Sequence, residues 1–566
     1  MKPMSIRDVV GPIMVGPSSS HTAGALRIAS MVRNLLDGEP VEVTFTLFGS
    51  FAHTYHGHGT DRALVAGMLG LHTDDLRVRN SFDLAKEQGL EFSFEPDTVT
   101  KTAHPNTVEA RVVDCYDNEV VARGVSIGGG AAELTRIDGI DVHITGEFNS
   151  MIVRQQDLPG TLAHIASTLG DAGINIGTSQ LHRTRQGGEA FTVMDVDDPV
   201  PEEVIDRILE FPAIRSVRFI PADGLHRNPG EVSSDIDPEL ALREFQKLDF
   251  ATAAQLLSFC EENGVSLSYA AEARERALLA SRGVAGSAIV SYLQRVLDVM
   301  RASATAPVEA PRSSMGGLIG GEAAKLRELE DLGAGVNGSL LALATRNAVA
   351  VLETNATMGV IVAAPTAGSA GVIPAVLLSL QEVHGFSDAR LMDALKNAAV
   401  VGSIIARNAT VAGAEGGCQA EIGSAAAMAA SAAVELLGGT PRMCLTAAGY
   451  ALANMLGLVC DPIGGLVEAP CQKRNASAAV NALSAAQMAL AGIEGLIPFD
   501  EVVDAMLKVG RSLPYELRET ALGGMAACAS CAKFCRYRFL KLRDLPFTER
   551  LNPTASANRP FARDPH

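Results

Sequence analysis

Hydrophobic positions early in the chain follow two rhythms. Val41, Val43, Phe45 and Leu47 alternate with other residues as on a half-buried strand, whereas Leu26, Ala29, Val32 and Leu36 recur as on one face of a helix. Residues 1–142 therefore read as an α+β domain. From 147 to 221 the pattern resolves element by element. MIVRQQ reads as a strand and the stretch from Pro159 as a helix with Leu162, Ile165 and Leu169 on one face. GTSQLHRT and EAFTVMDV read as strands, PEEVIDRILEF as a helix and SVRFI as a closing strand. The order βαββαβ is the ferredoxin-like split motif. Residues 222–240 are polar, acidic and bear Pro and Gly, and read as a linker. The stretch 241–535 is rich in Ala, which favours helix and close helix approach, and predicts an all-α domain; 536–566 reads as a loosely packed basic tail. The fold class expected is thus multidomain, α+β and all-α.

Charge and cysteine usage narrow the chemistry. With 47 basic against 65 acidic side chains and a formal charge of -18, the chain lacks the cationic surplus that phosphate neutralisation needs, so nucleic-acid binding is not expected. Thr354 to Leu380 carry no charge, but Gly359, Pro365, Gly368, Gly371 and Pro374 interrupt the run, which argues against a membrane span. The cysteines number nine, an odd count, and no apolar leader follows the start MKPMSIRDVV, so a reducing cytoplasmic setting is expected rather than a disulfide framework. In that setting clustered cysteines point to metal or redox chemistry, and isolated ones to packing.

Several constellations could carry a reaction. GPSSSHTAG places Ser18, Ser19, Ser20, His21 and Thr22 at the start of a helical pattern, where free N–H groups suit an anion such as a carboxylate; a plain helix cap is the alternative. SFAHTYHGHGTD packs His53, His56 and His58 among glycines, which fits a His metal site with Asp61, a general base, or a solvated loop. Cys418, Cys460 and Cys471 are separated by 42 and 11 residues, with Cys460 before Asp-Pro and Cys471 after Pro470, so the latter two are expected in turns. ACASCAKFC offers a rival trio, Cys528, Cys531 and Cys535, at tighter spacing, and spacing does not decide between them.

Taken together, GPSSSHTAG, GHGTD, HPNT and SIGGG, then SSMGG, APTAGSAG, EGGCQAEIGSA, CDPIGG, APCQKRNA and ELRETALGGMA resemble the bacterial iron-sulfur L-serine dehydratases (L-serine ammonia-lyases) over residues 1 to about 527. The middle segment, with DLPGTLAHIASTLGDAGINI, resembles an ACT domain, so the chain looks like a fusion in the order β part, ACT domain, α part. The resemblance implies a 4Fe-4S cluster on Cys418, Cys460 and Cys471, with one iron open to polarise the hydroxyl of serine, and no pyridoxal phosphate. It implies His58 as base for the α proton and His21 in substrate binding or acid assistance. Ser18, Ser19, Ser20, Thr366, Ser369 and His104 become candidate substrate contacts. Some family members end in a cysteine that reaches the open iron; Cys528 or Cys531 could take that part, or the tail trio could be unrelated. Cys115, Cys260 and Cys444 are expected to be packing residues. The ACT-like segment implies a homodimer and a small-molecule or cation effector. Competing readings are a related lyase acting on L-cysteine or L-threonine, a zinc hydrolase at the histidine cluster, and an amino-acid sensor without turnover.

Overall fold

The computed structural model describes residues 3–183, 185–222 and 237–531. The strand Pro40–Phe48 lies inside a six-stranded sheet, paired in parallel with Glu91–Asp97 and antiparallel with Asn106–Asp114. Strands Glu119–Gly128, Ala131–Ile137 and Ile140–Ile144 continue the sheet as an antiparallel meander. The alternation seen in the sequence is realised: Val43, Phe45 and Leu47 are buried against helices Ala25–Arg33 and Thr60–Met68, while Val41 faces outward. Each such buried side chain contributes about 1.5–3 kcal/mol relative to exposure. The two helices cross closely at Gly67, where a Cβ would stand 2.4 Å from the Leu26 carbonyl oxygen, so only glycine fits.

The βαββαβ order expected for the next unit is present. Asn149–Gln156, Thr161–Asp171, Ile176–Arg183, Glu189–Val196, Glu202–Leu209 and Ile214–Ile220 follow one another, and the four strands form one antiparallel sheet. Ile165, Leu169, Val204 and Ile208 fill its core, whereas Leu162 and Leu209, expected on the same faces, are exposed. Ile152, Phe191, Val193 and Ile220 pack against the first domain, and Arg218 donates to the Leu35 carbonyl at 2.9 Å.

Beyond 237 the chain is almost all helix. Its first helix, Pro238–Leu248, already begins inside the stretch expected to be linker, capped by Asp237; residues 223–236 of that stretch, and the tail with Cys535, lie outside the described residues. Helix Ser424–Leu436 is buried on nearly all sides among Val372–His384, Asp388–Asn408, Pro441–Ala453 and Cys471–Leu490. Its run of Ala permits that close approach. The uncharged run from Thr354 folds into a short strand, Val360–Val362, a turn and the helix Val372–His384, and no described helix is long and apolar enough to cross a membrane.

The first fifteen residues do not stay with the domain they precede. Ile6, Val9, Val10 and Ile13 belong to the helical core, Ile6 N–H donates to the buried Glu275 at 3.0 Å, and Tyr292 Oη donates to the Val10 carbonyl at 2.7 Å. Ile13–Val15 then pairs antiparallel with Val360–Val362, a two-stranded joint between the N-terminal and helical parts.

Candidate active site

The joint brings the two conspicuous polar motifs together. GPSSSHTAG does not begin as an α-helix: Ser19–Gly24 forms a π-helical turn ahead of Ala25–Arg33, and Ser18 Oγ accepts the His21 N–H at 3.2 Å. Cys418 likewise precedes a π-helical turn, Gln419–Gly423, that leads into Ser424–Leu436. Widened turns of this kind are concentrated at functional sites, because they redirect side chains that a regular helix would point elsewhere. Gln419 locks the second turn: its Nε2 donates to the Gly416 carbonyl at 2.9 Å and its Oε1 accepts the Gly457 N–H at 2.9 Å.

A cavity of about 1280 Å³ opens between the domains, lined by Ser18, Ser19, Ser20, His58, His104, Thr366, Cys418, Cys460 and Cys471. His58 is fully buried and held by its backbone: its N–H donates to Thr54 and its carbonyl accepts Thr22 Oγ1 at 2.8 Å. Gly59, with φ of 65°, turns the chain immediately afterwards into helix Thr60–Met68. Neither imidazole nitrogen of His58 has a hydrogen-bond partner among the described residues, and burial holds its pKa down at about 4, so the ring is neutral. His21 stands edge-on to it, with ring centroids 4.4 Å apart, and its Nε2 meets Ser50 Oγ at 2.9 Å. Burial and then the neighbouring His58 and His104 hold His21 well below the usual imidazole range.

The other two histidines of the cluster go elsewhere. His53 and His56 are exposed, and His56 pairs with Asp61 at 2.8 Å, so the three do not converge on a metal. Ser369 also falls short of the cavity. Its hydroxyl is buried against the Ala364 and Thr366 carbonyls, where it shapes the turn that presents Thr366. Thr366 Oγ1 in turn donates to Glu421 at 2.8 Å.

The cysteines divide clearly. Cys418, Cys460 and Cys471 are buried on one cavity wall. Neither of the two lies in a free turn as expected: Cys471 opens helix Cys471–Leu490, and Cys460 is bridged in parallel to Arg518, donating its N–H to Leu517 and accepting that of Glu519, both at 2.9 Å. Asn475 fastens the wall, donating to the Cys471 carbonyl at 2.9 Å and the Gly368 carbonyl at 2.8 Å. Contact with Cys418 and then burial push the Cys460 thiol well up, and burial and then Cys418 do so for Cys471. Crowded thiols of this kind ionise only when a cation shares the pocket, which is the donor chemistry a thiolate-bound metal centre requires. Cys528 is exposed and Cys531 is buried away from the cavity, so neither lines it. Cys260 and Cys444 are buried packing residues; Cys115, expected to be one, is exposed.

Two carboxylates were not anticipated. Glu421 sits one helical turn past Cys418, and one of its oxygens lies within 4.8 Å of the Cys418 and Cys460 sulfurs. Glu519 enters from the C-terminal segment, where an oxygen lies within 4.8 Å of ring nitrogens of His21 and His58. Burial raises Glu421 to about 7, and burial together with the charge of Glu421 raises Glu519 to about 8. The i, i+3 spacing from Cys418 could have signalled Glu421; nothing local distinguishes Glu519 from other acidic residues.

An α+β region and a helical region closing on one thiol- and histidine-lined cavity, with a βαββαβ module between them in sequence, correspond to known families. Residues 5–133 match the family described as serine dehydratase beta chain, 150–213 the ACT domain, and 231–526 serine dehydratase alpha chain. The chain belongs to the serine dehydratase family. It is 30% identical over 534 residues to L-serine dehydratase of Streptomyces coelicolor, covering 91% of this chain and 96% of that one. The alpha chain of L-serine dehydratase from Peptoniphilus asaccharolyticus is 44% identical over 293 residues, 52% of this chain and 99% of its own length. The beta chain from the same organism is 37% identical over 222 residues, 39% of this chain and 99% of its own.

Proposed function

We propose that the protein is an L-serine ammonia-lyase that eliminates water from L-serine to give aminoacrylate, which tautomerises and hydrolyses to pyruvate and ammonia, with a 4Fe-4S cluster held by Cys418, Cys460 and Cys471. The observation that carries this reading is the shared cavity, lined both by three buried thiols and by a buried, neutral His58 with no hydrogen-bond partner among the described residues. When bound, the cluster supplies an electrophilic iron that draws electron density from the substrate's oxygens. The protein's own groups do the rest. His58 accepts the α proton at its unprotonated ring nitrogen, since the ring is neutral above about pH 4 and neither nitrogen is spent on a bond to the described residues. Hydroxyls of Ser18, Ser19 and Ser20 on the cavity wall donate to the substrate carboxylate. Thr366, with its proton committed to Glu421, orients that carboxylate, and Ser369 braces Thr366. His21, fixed through Ser50, holds the ring of His58 edge-on.

The ACT module is proposed as a dimer contact and effector site. Among the described residues its strand Ile176–Arg183 is laddered only to Glu189–Val196 and lies at the sheet edge, where a second copy could pair. Cytoplasmic location is part of the same reading, since open iron centres and free thiols persist in a reducing setting.

Anaerobic purification with a pyruvate assay on L-serine, and iron and sulfide counts on the same sample, tests the proposal. We expect pyruvate formation, about four irons per chain, and loss of iron in Cys471→Ser. An active protein free of iron would refute it. Comparing L-serine with L-threonine and L-cysteine measures the substrate preference.

A further inference from the structure

Resting on the reading of an amino-acid substrate, we propose that Glu519 is the residue that binds the substrate's α-ammonium group. An amino acid entering this cavity brings a positive charge that must be paired once water is stripped from it. The hydroxyls of Ser18, Ser19, Ser20 and Thr366 cannot neutralise it, so a carboxyl group that ionises against the entering ammonium is required.

The cavity's acidic residues narrow to two. Asp74 is paired with Arg295, Glu415 with Arg511, Asp8 caps the first helix, and Glu147 is engaged in an interaction of its own. Glu421 and Glu519 have no cationic side-chain partner among the described residues: Glu421 accepts from Thr366, and Glu519 from the Ala414 N–H. Both face the same point, since a Cβ on Gly413 would stand 2.7 Å from Glu421 Oε2 and 3.4 Å from Glu519 Oε2. Their neighbours separate their roles. Glu421 keeps company with the Cys418 and Cys460 sulfurs, whereas Glu519 stands with the ring nitrogens of His21 and His58. The α carbon must approach His58, and the ammonium is bonded to that carbon, so the carboxylate on the histidine side is the one in reach.

A second observation supports a built position. His58, wholly buried, has neither ring nitrogen bonded among the described residues, and one of them lies within 4.8 Å of a Glu519 oxygen, so polar capacity there is left for a ligand. The chain also accepts an unfavourable conformation to deliver the side chain. Glu519 has φ of 62°, rare for a residue with a Cβ, and its N–H is tied to the Cys460 carbonyl at 2.9 Å.

The test pairs Glu519→Gln with removal of the ammonium from the ligand. On anaerobically purified holoenzyme, KM for L-serine and the inhibition constant of L-glycerate, which has a hydroxyl where serine has its ammonium, are measured for wild type, E519Q and E421Q. In E519Q we expect KM for L-serine to rise about 10- to 100-fold, with L-glycerate inhibition within about 3-fold of wild type by the same bookkeeping and the iron content unchanged. Equal shifts for both ligands, or an unchanged KM, would overturn the assignment; so would a serine-selective loss in E421Q instead. Where E519Q is poorly folded, E519D serves, with the carboxylate withdrawn by one methylene. A wild-type protein that makes no pyruvate would count against the function itself. Calorimetric binding of L-serine against L-glycerate then still reads the role of Glu519.

Discussion

Replacing His58 by Ala probes catalysis and stability with one change. Loss of a general base costs about 10²- to 10⁴-fold in rate, equivalent to about 3–5 kcal/mol of barrier. Stability is expected to respond quite differently. Truncating a buried ring leaves a cavity worth about 3 kcal/mol, but His58 also buries two ring nitrogens without partners. Each unmet polar group costs about 1–3 kcal/mol, and the substitution releases both. The two contributions offset to within about 2 kcal/mol, so the melting temperature should move by no more than about 5 °C. The assay is pyruvate release from L-serine, with the cluster's visible absorbance and a thermal melt on the same anaerobic preparation. Activity within tenfold of wild type would remove His58 from the reaction. A collapse in melting temperature with the loss of activity would show that the buried ring is structural, and would refute the inference from its unpartnered nitrogens.

The same residue makes a pH prediction. Folded His58 has a pKa of about 4 against about 6.5 when unfolded, so between those values the unfolded chain takes up a proton that the folded one refuses. Its stabilising effect is complete above pH 6.5 and fades as pH falls toward 4; from pH 6.5 to 5, wild type should lose about 2 kcal/mol more than His58→Asn in denaturant titrations, and parallel slopes would contradict this. Thr366→Val strips Glu421 of its hydroxyl donor at 2.8 Å, and kcat should fall about 10-fold with iron content unchanged. Asp461→Ala leaves the largely buried Arg474, which also donates to the Val459 carbonyl, without its carboxylate partner at 2.8 Å and the Met525 N–H without its acceptor at 2.7 Å. Destabilisation of about 3–5 kcal/mol is expected, seen as faster proteolysis within residues 515–527; unchanged protease resistance would argue against this anchor.

What could be read in advance followed the range of the interactions involved. The βαββαβ unit was legible because each of its elements buries one periodic face against a neighbour close in sequence, as Ile165 and Val204 do. The cavity wall was not, because it is assembled across long separations: Cys460 meets Leu517 and Glu519, and Thr366 meets Glu421. Spacing could not choose between the cysteine trios, and it was family likeness that pointed to the buried one. Ser369 shows the limit of motif transfer, since its neighbour Thr366 reaches the cavity while Ser369 turns inward to hold the loop. The π-helical turns were also invisible, as the small residues of SSHTAG and QAEIG suit an ordinary helix start equally well.

The joint formed by Ile13–Val15 and Val360–Val362 joins regions that match separately named beta and alpha chains in Peptoniphilus asaccharolyticus. Here the partners are tethered, so their meeting is governed by an effective concentration set by the connecting chain and not by the amount of protein in solution. A cavity that needs Ser18 to Ser20 and His58 from one side and three cysteines from the other is thereby completed within a single polypeptide. Assembly of this cavity should survive dilution that would separate two untethered chains.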